Sequence, residues 1–240
     1  TQGNLFCGFI GMIHVAYGNL ALAGIMVIVA AVFDLFDGLA ARALQVRTKT
    51  GKQLDSLADI VSFGILPAVI LHFLMIKTHT NWLNSLFLLN LPVLALIPFA
   101  YGAGAAYRLA KFDIATDQEA HFKGLPVPAA GLLVASLPLI LQFDMLLIQY
   151  KTIYLSEYVL NPWLILGIAI IVPLLMVSNI PMFSLKFQNF EWAGNEYRFI
   201  FLSIAIVLFI LLFFTAVPLI ILVYLLMSIL LKNKFYEVQS

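Results

Sequence analysis

The chain has 240 residues, of which 63% are hydrophobic and only 10% charged, and its mean hydropathy is +1.03. These values lie far outside the range of water-soluble domains, so soluble enzymes and soluble binding modules are excluded. The formal net charge is only +1. We expect membrane lipids as partners of this protein, and no nucleic acid.

Apolar runs separated by polar residues predict an all-α polytopic bundle of about eight transmembrane helices. The last two spans share one apolar stretch that is too long for a single crossing, and Pro218 near its middle predicts a turn. A single domain over 1–240 is expected, with a motif core in 1–186 and a C-terminal hairpin at about 198–232. The predicted spans are 4–18, 20–46, 54–76, 83–111, 125–149, 160–184, 198–215 and 217–232.

The positive charges give this bundle an orientation. Of the thirteen Lys and Arg residues, all but Lys77 and Lys151 fall on one side of the eight-span arrangement. Short cytoplasmic loops retain positive charge, so both termini are predicted to be cytoplasmic. We expect an integral protein of a bacterial or archaeal cell membrane. On the fourth span, Gly102 and Gly104 form a small-residue face that indicates close helix packing, with a homodimer interface as the alternative.

Four aspartates interrupt the second and third spans. Asp34 and Asp37 are three residues apart, and Asp55 and Asp59 are four apart, so each pair shares one face of a helix. A carboxylate at membrane depth costs several kcal/mol unless it is paired, solvated or bound to a cation. Oxygen ligands suit Mg²⁺ or Mn²⁺, and the two pairs therefore predict a site for two divalent ions that opens to the cytoplasm.

Small and basic residues accompany the aspartates. Gly38 and Ala41 share the helix face of Asp34, where small side chains permit the close approach of a bulky ligand. Arg42 follows them as a cation suited to phosphate.

The complete pattern, D-x-x-D-G-x-x-A-R-x8-G-x-x-x-D-x-x-x-D from Asp34 to Asp59, resembles the signature of the CDP-alcohol phosphotransferases. The resemblance implies a membrane enzyme that transfers a substituted phosphate from a CDP-linked donor to an alcohol and releases CMP. It implies that Gly38, Ala41, Arg42 and Gly51 bind the donor, and that Asp59 is also the general base.

Other segments resemble the integral-membrane phosphatidylserine synthases within this family. They are 3–8, which contains Asn4, and 107–113, 122–131 and 177–184. The resemblance implies CDP-diacylglycerol as donor, with Asn4 at the donor site, and L-serine as acceptor.

The acceptor also follows from charge. Serine carries a carboxylate, so its site needs a cation close to the aspartates, and Arg108 and Lys123 lie at the cytoplasmic ends of neighbouring predicted spans. Positive-inside anchoring is the alternative for both residues. A glycerol phosphate or inositol phosphate acceptor would be expected to need a denser basic cluster. A more distant alternative is a carrier that binds cations without chemistry.

Overall fold

The computed structural model describes residues 1–44, 48–78, 87–88, 91–114, 123–146, 155–183, 192 and 194–231. Helices account for most of these residues. Two strands of two residues each pair with one another between the fourth and fifth helices. The elements are α1 (Gln2–Ala16), α2 (Leu20–Ala43), α3 (Lys49–Asp59), a π-helical turn (Ile60–Ile65), α4 (Leu66–Lys77), β1 (Phe87–Leu88), β2 (Leu91–Pro92), a 3₁₀ turn (Val93–Leu96), α5 (Phe99–Ile114), α6 (Val127–Leu146), α7 (Leu155–Val159), α8 (Pro162–Val177), α9 (Glu196–Leu212), a 3₁₀ turn (Phe213–Thr215) and α10 (Ala216–Leu230).

The predicted fold class, a polytopic helical membrane bundle, is confirmed. Four helical stretches are long and apolar enough to cross a bilayer, namely Leu20–Ala41, Thr50–Lys77, Val93–Asp113 and Glu196–Leu230. Two further apolar helices, Val127–Phe143 and Pro162–Val177, are shorter. Together with α1, and with the last stretch divided into α9 and α10, these helices correspond to the predicted spans. The predicted ends at 46, 149, 184 and 232 lie outside the described residues.

The fourth span begins later than predicted. Helix α5 starts at Phe99, whereas hydropathy extends the span back to residue 83. Among the described residues before α5, Phe87–Leu88 pairs antiparallel with Leu91–Pro92, and a 3₁₀ turn follows. Pro92 and Pro98 explain this difference, because proline lacks a backbone N–H and disfavours helical geometry in the preceding residue.

The C-terminal hairpin forms, but its turn is not at Pro218. The chain reverses at Phe213, the one described non-glycine residue with positive φ, at 49°. The rings of Phe201 on α9 and Tyr224 on α10 lie 5.6 Å apart, as expected for antiparallel neighbours. Pro218 lies in the first turn of α10, where a missing N–H costs no helical hydrogen bond.

A π-helical turn interrupts the third span directly after Asp59. The turn is tied to two other helices by hydrogen bonds. The Ser62 hydroxyl donates to the backbone oxygen of Asn4 on α1 (2.8 Å), and the Tyr101 hydroxyl on α5 donates to the backbone oxygen of Phe63 (3.2 Å). These bonds fix α1 and α5 beside Asp59.

Glycines allow the helices to approach closely. A Cβ atom on Gly104 would lie 2.3 Å from the Cβ of Pro173 on α8, and one on Gly24 would lie 2.6 Å from the backbone oxygen of Ala135 on α6. Gly102 faces Ala68 of α4. The small-residue face of α5 is therefore used within the chain, which supports the packing interpretation and not a dimer interface on that face.

We predict that Gly104→Ala destabilises the protein. The added methyl meets a rigid proline inside a helix, and overpacking of this kind costs about 1–3 kcal/mol. The midpoint of thermal unfolding in detergent, followed by intrinsic fluorescence, should fall by about 2–10 °C. Gly167→Ala on α8 is the matched control, because a Cβ atom added at Gly167 would have no neighbour within 4 Å. Equal midpoints for the two variants would contradict the packing argument.

Candidate metal and substrate site

Three of the four predicted carboxylates converge. Asp34 on α2 and Asp55 and Asp59 on α3 each place one carboxylate oxygen within 4.8 Å of the others. Asp34 and Asp55 are partly exposed, whereas Asp59 is only 9% exposed. The arrangement follows from local sequence: the chain between the two helices is short, and the spacing of Asp55 and Asp59 puts both on one face of α3.

Asp37 lies at the border of this cluster. Its carboxylate contacts the backbone nitrogen of Thr1, and the Thr1 hydroxyl donates to Oδ1 of Asp55 (3.3 Å). Thr1 therefore lies between Asp37 and the carboxylate of Asp55. Asp37 is outside the group of three whose oxygens come within 4.8 Å of one another.

Asn4 joins the cluster from α1. Its Nδ2 donates to Oδ1 of Asp59 (2.8 Å), and the residue is completely buried. The Oδ1 of the same amide is buried with no hydrogen-bond partner in the described structure. The sequence placed Asn4 at the donor site, whereas its visible contact is with Asp59. Sequence reasoning missed Ser62, which holds the backbone of Asn4, although a serine within an apolar span was a usable signal.

The cluster fits a divalent cation. Its ligand atoms are all oxygens, which Mg²⁺ and Mn²⁺ prefer over softer ligands. Three carboxylates this close repel one another in a region of low dielectric constant, and bound cations would remove that repulsion. The unpartnered Asn4 Oδ1 beside Asp59 is one more oxygen acceptor at the site.

The residues predicted to bind the donor lie on both sides of the cluster. Gly38 and Ala41 are on α2, one and two turns beyond Asp34, and are partly exposed. Gly51 is in the first turn of α3, where its backbone N–H donates to the Thr48 hydroxyl (3.0 Å) and caps the helix. Arg42 belongs to α2, and its side chain lies outside the described part of the structure.

The two predicted acceptor cations differ in their burial and in their surroundings. Arg108 on α5 is partly buried, and its Nε is buried with no hydrogen-bond partner among the described residues. The charge of Asp59 acts on its guanidinium. Lys123 is exposed, and its backbone forms a β-bridge with Pro181. Arg108 is therefore within electrostatic range of Asp59, while Lys123 lies where the chain enters α6.

A salt bridge aligns α5 with α3. The Nζ of Lys52 lies 3.7 Å from Oδ1 of Asp113 and 3.5 Å from its backbone oxygen. Asp113 thus has a basic partner on α3. The pair is partly exposed, so it contributes little stability, yet it marks where the end of α5 meets the start of α3.

Comparison with known proteins defines the class. The family model for CDP-alcohol phosphatidyltransferases matches residues 1–172, and the chain belongs to this family. The match includes all four aspartates, the predicted donor residues, Arg108 and Lys123. The C-terminal hairpin lies beyond it. The protein is accordingly a membrane-bound transferase of phospholipid biosynthesis.

The names of several relatives refer to serine. The CDP-diacylglycerol–serine O-phosphatidyltransferase of Bacillus subtilis is 32% identical over 133 residues, or 55% of this chain and 68% of that protein. The enzyme of the same name from Helicobacter pylori J99 is 29% identical over 193 residues, or 80% and 70%. The archaetidylserine synthase of Methanothermobacter thermautotrophicus is 29% identical over 141 residues, or 55% and 53%.

We predict that the carboxylate cluster binds Mn²⁺. Titration of the purified protein with Mn²⁺, followed by the loss of the free-ion paramagnetic resonance signal, should reveal saturable binding. Asp34→Asn removes one charged ligand and should weaken that binding by about tenfold or more. Asp113→Asn is the matched control, because this residue lies outside the cluster. Equal affinity in both variants would exclude the cluster as the metal site.

Proposed function

We propose that the protein transfers the phosphatidyl group of CDP-diacylglycerol to the hydroxyl of L-serine, giving phosphatidylserine and CMP. The observation that carries this proposal is the carboxylate cluster at the end of apolar helices, together with Arg108, a partly buried cation on which the charge of Asp59 acts. Membership of the family supports the reaction type. The names of the relatives support serine as the acceptor.

The donor would occupy the α2 side of the site. Gly38 and Ala41 have side chains small enough for the cytidine diphosphate to lie against the helix, and Gly51 would border it from α3. Arg42 would pair with phosphate. Two Mg²⁺ or Mn²⁺ ions held by Asp34, Asp37, Asp55 and Asp59 would neutralise the diphosphate. The site would face the cytoplasm, and the acyl chains would extend between helices into the bilayer.

Asp59 would act as the general base. Its Oδ1 accepts a hydrogen bond from the Asn4 amide, and this bond fixes the orientation of the carboxylate. The remaining lone pairs of the carboxylate are available for further contacts. Asp59 would remove the proton of the serine hydroxyl as that oxygen bonds to the phosphorus nearer the lipid. The bond from this phosphorus to the bridging oxygen breaks, and CMP leaves with that oxygen.

The acceptor would lie on the α5 side. The Arg108 guanidinium has donors only, which suits the serine carboxylate, and its buried Nε has no described partner to displace. Lys123 would contribute a second positive charge. We also propose that residues 1–240 form one domain.

We expect the purified protein to release CMP from CDP-diacylglycerol when serine and Mg²⁺ or Mn²⁺ are added. Glycerol phosphate and inositol phosphate should be poor substitutes, and exhaustive chelation should abolish the release. Asp59→Asn keeps the shape but removes charge and basicity, so turnover should fall by ~10² or more. Transfer to a phosphorylated acceptor and none to serine would overturn the acceptor. Cation binding without CMP release from any acceptor would favour a carrier.

We further predict that Arg108→Ala and Lys123→Ala raise the KM for serine. Each removes a charge-assisted hydrogen bond worth roughly 1.5–3 kcal/mol, or roughly a 10- to 100-fold rise. The KM for CDP-diacylglycerol should change little, because the aspartates remain. Serinol lacks the carboxylate and should be a poor acceptor that responds little to either change.

Lys77→Ala is the control for this pair, since it removes an exposed positive charge at the end of α4. An unchanged serine KM in both Arg108→Ala and Lys123→Ala would identify these residues as positive-inside anchors instead.

A further inference from the structure

Helix α10 is apolar except for two polar side chains, and both of them are buried. Tyr224 is 6% exposed and Ser228 is 0% exposed, whereas Leu222 and Leu226 are half exposed. Tyr224 and Ser228 are four residues apart and so share one face of the helix. The Ser228 hydroxyl has no hydrogen-bond partner among the described residues. Polar groups that face the interior of a membrane bundle are candidates for a functional role.

The Tyr224 hydroxyl holds the chain that follows α8. It donates to the backbone oxygen of Phe183 (2.8 Å). The same tyrosine ring packs edge-on against Phe183, with the ring centroids 4.8 Å apart. Phe183 ends the segment 178–183, and this segment is otherwise attached to the side of the bundle on which the acceptor is proposed to bind.

Three contacts define that attachment. The backbone N–H of Gly124 donates to the backbone oxygen of Ile180 (2.8 Å), next to the β-bridge between Lys123 and Pro181. The Nζ of Lys111, one turn after Arg108 on α5, donates to Oδ1 of Asn179 (3.4 Å). The segment 178–183 thus touches Lys123, the end of α5 and α10, and it connects the hairpin with Lys123 and with the helix that carries Arg108.

We propose that Tyr224 is a positioning residue for the acceptor, which through its hydroxyl fixes the segment 178–183 against Lys123 and the end of α5, so that the C-terminal hairpin completes the acceptor side of the site. This inference rests on the proposed function. It assigns a role to a helix that lies beyond the part of the chain matched by the family model.

The test is Tyr224→Phe in the full chain, which removes the hydroxyl and keeps the ring. The serine KM should rise by about 3- to 10-fold, the range for one neutral hydrogen bond, with kcat and the KM for CDP-diacylglycerol within about twofold of wild type. Tyr107→Phe is the control, because Tyr107 adjoins Arg108 in sequence and is exposed. With serinol, which has no carboxylate, Tyr224→Phe should have no effect.

A double-mutant cycle shows whether Tyr224 acts through Lys123. In a Lys123→Ala background, Tyr224→Phe should cause little further rise in the serine KM. Additive effects would overturn the proposal, as would a serine KM equal to that of Tyr107→Phe or an equal loss of turnover with every acceptor.

The activity of the wild type distinguishes a failure of this inference from a failure of the proposed function. If the wild type uses an anionic acceptor other than serine, the serine assignment fails, and the KM of that acceptor should still rise in Tyr224→Phe. An unchanged KM for that acceptor would overturn the role of Tyr224 as well.

Discussion

Mutual repulsion of carboxylates in an apolar bundle is the constraint on which the rest of the structure depends. Two unit charges 4 Å apart at an effective dielectric constant of about 20 repel by about 4 kcal/mol, and Asp34, Asp55 and Asp59 approach one another on this scale. Helices α2 and α3 cannot be held together there by these residues themselves. The neighbouring helices must supply the stabilisation, and a bound cation would reverse the sign of the interaction.

The supporting contacts are concentrated around one end of α3. Asn4 bonds directly to Asp59, and Ser62 bonds to the backbone of Asn4. The Tyr101 hydroxyl on α5 donates to the backbone oxygen of Phe63, the residue after Ser62. These groups are buried, so each bond is made where the alternative is an unsatisfied polar group and not a water molecule. The carboxylate least exposed to solvent is thus also the one most firmly oriented.

The features that could be predicted from the sequence are those set by local spacing. The convergence of Asp34 with Asp55 and Asp59 follows from two helical pairs joined by a short connection, and the apolar runs predict the helices. The beginning of α5 and the reversal at Phe213 were missed because hydropathy does not register where prolines end a helix or are tolerated in its first turn. The Asn4–Asp59 and Tyr224–Phe183 contacts join residues 55 and 41 positions apart, and no local pattern encodes them.

The π turn after Asp59 allows one helix to have polar surroundings before the turn and apolar surroundings beyond it. A π turn holds more residues than an α-turn, so the side chains that follow it are rotated relative to those of an uninterrupted helix. Asp55 and Asp59 can therefore face the other carboxylate while Leu66, Ile70 and Leu74 beyond the turn are fully buried in the apolar core. A loop would give the same change of direction but would leave backbone groups without partners at membrane depth. The π turn thus separates the carboxylate cluster from the hydrocarbon core of the bundle while the chain remains helical.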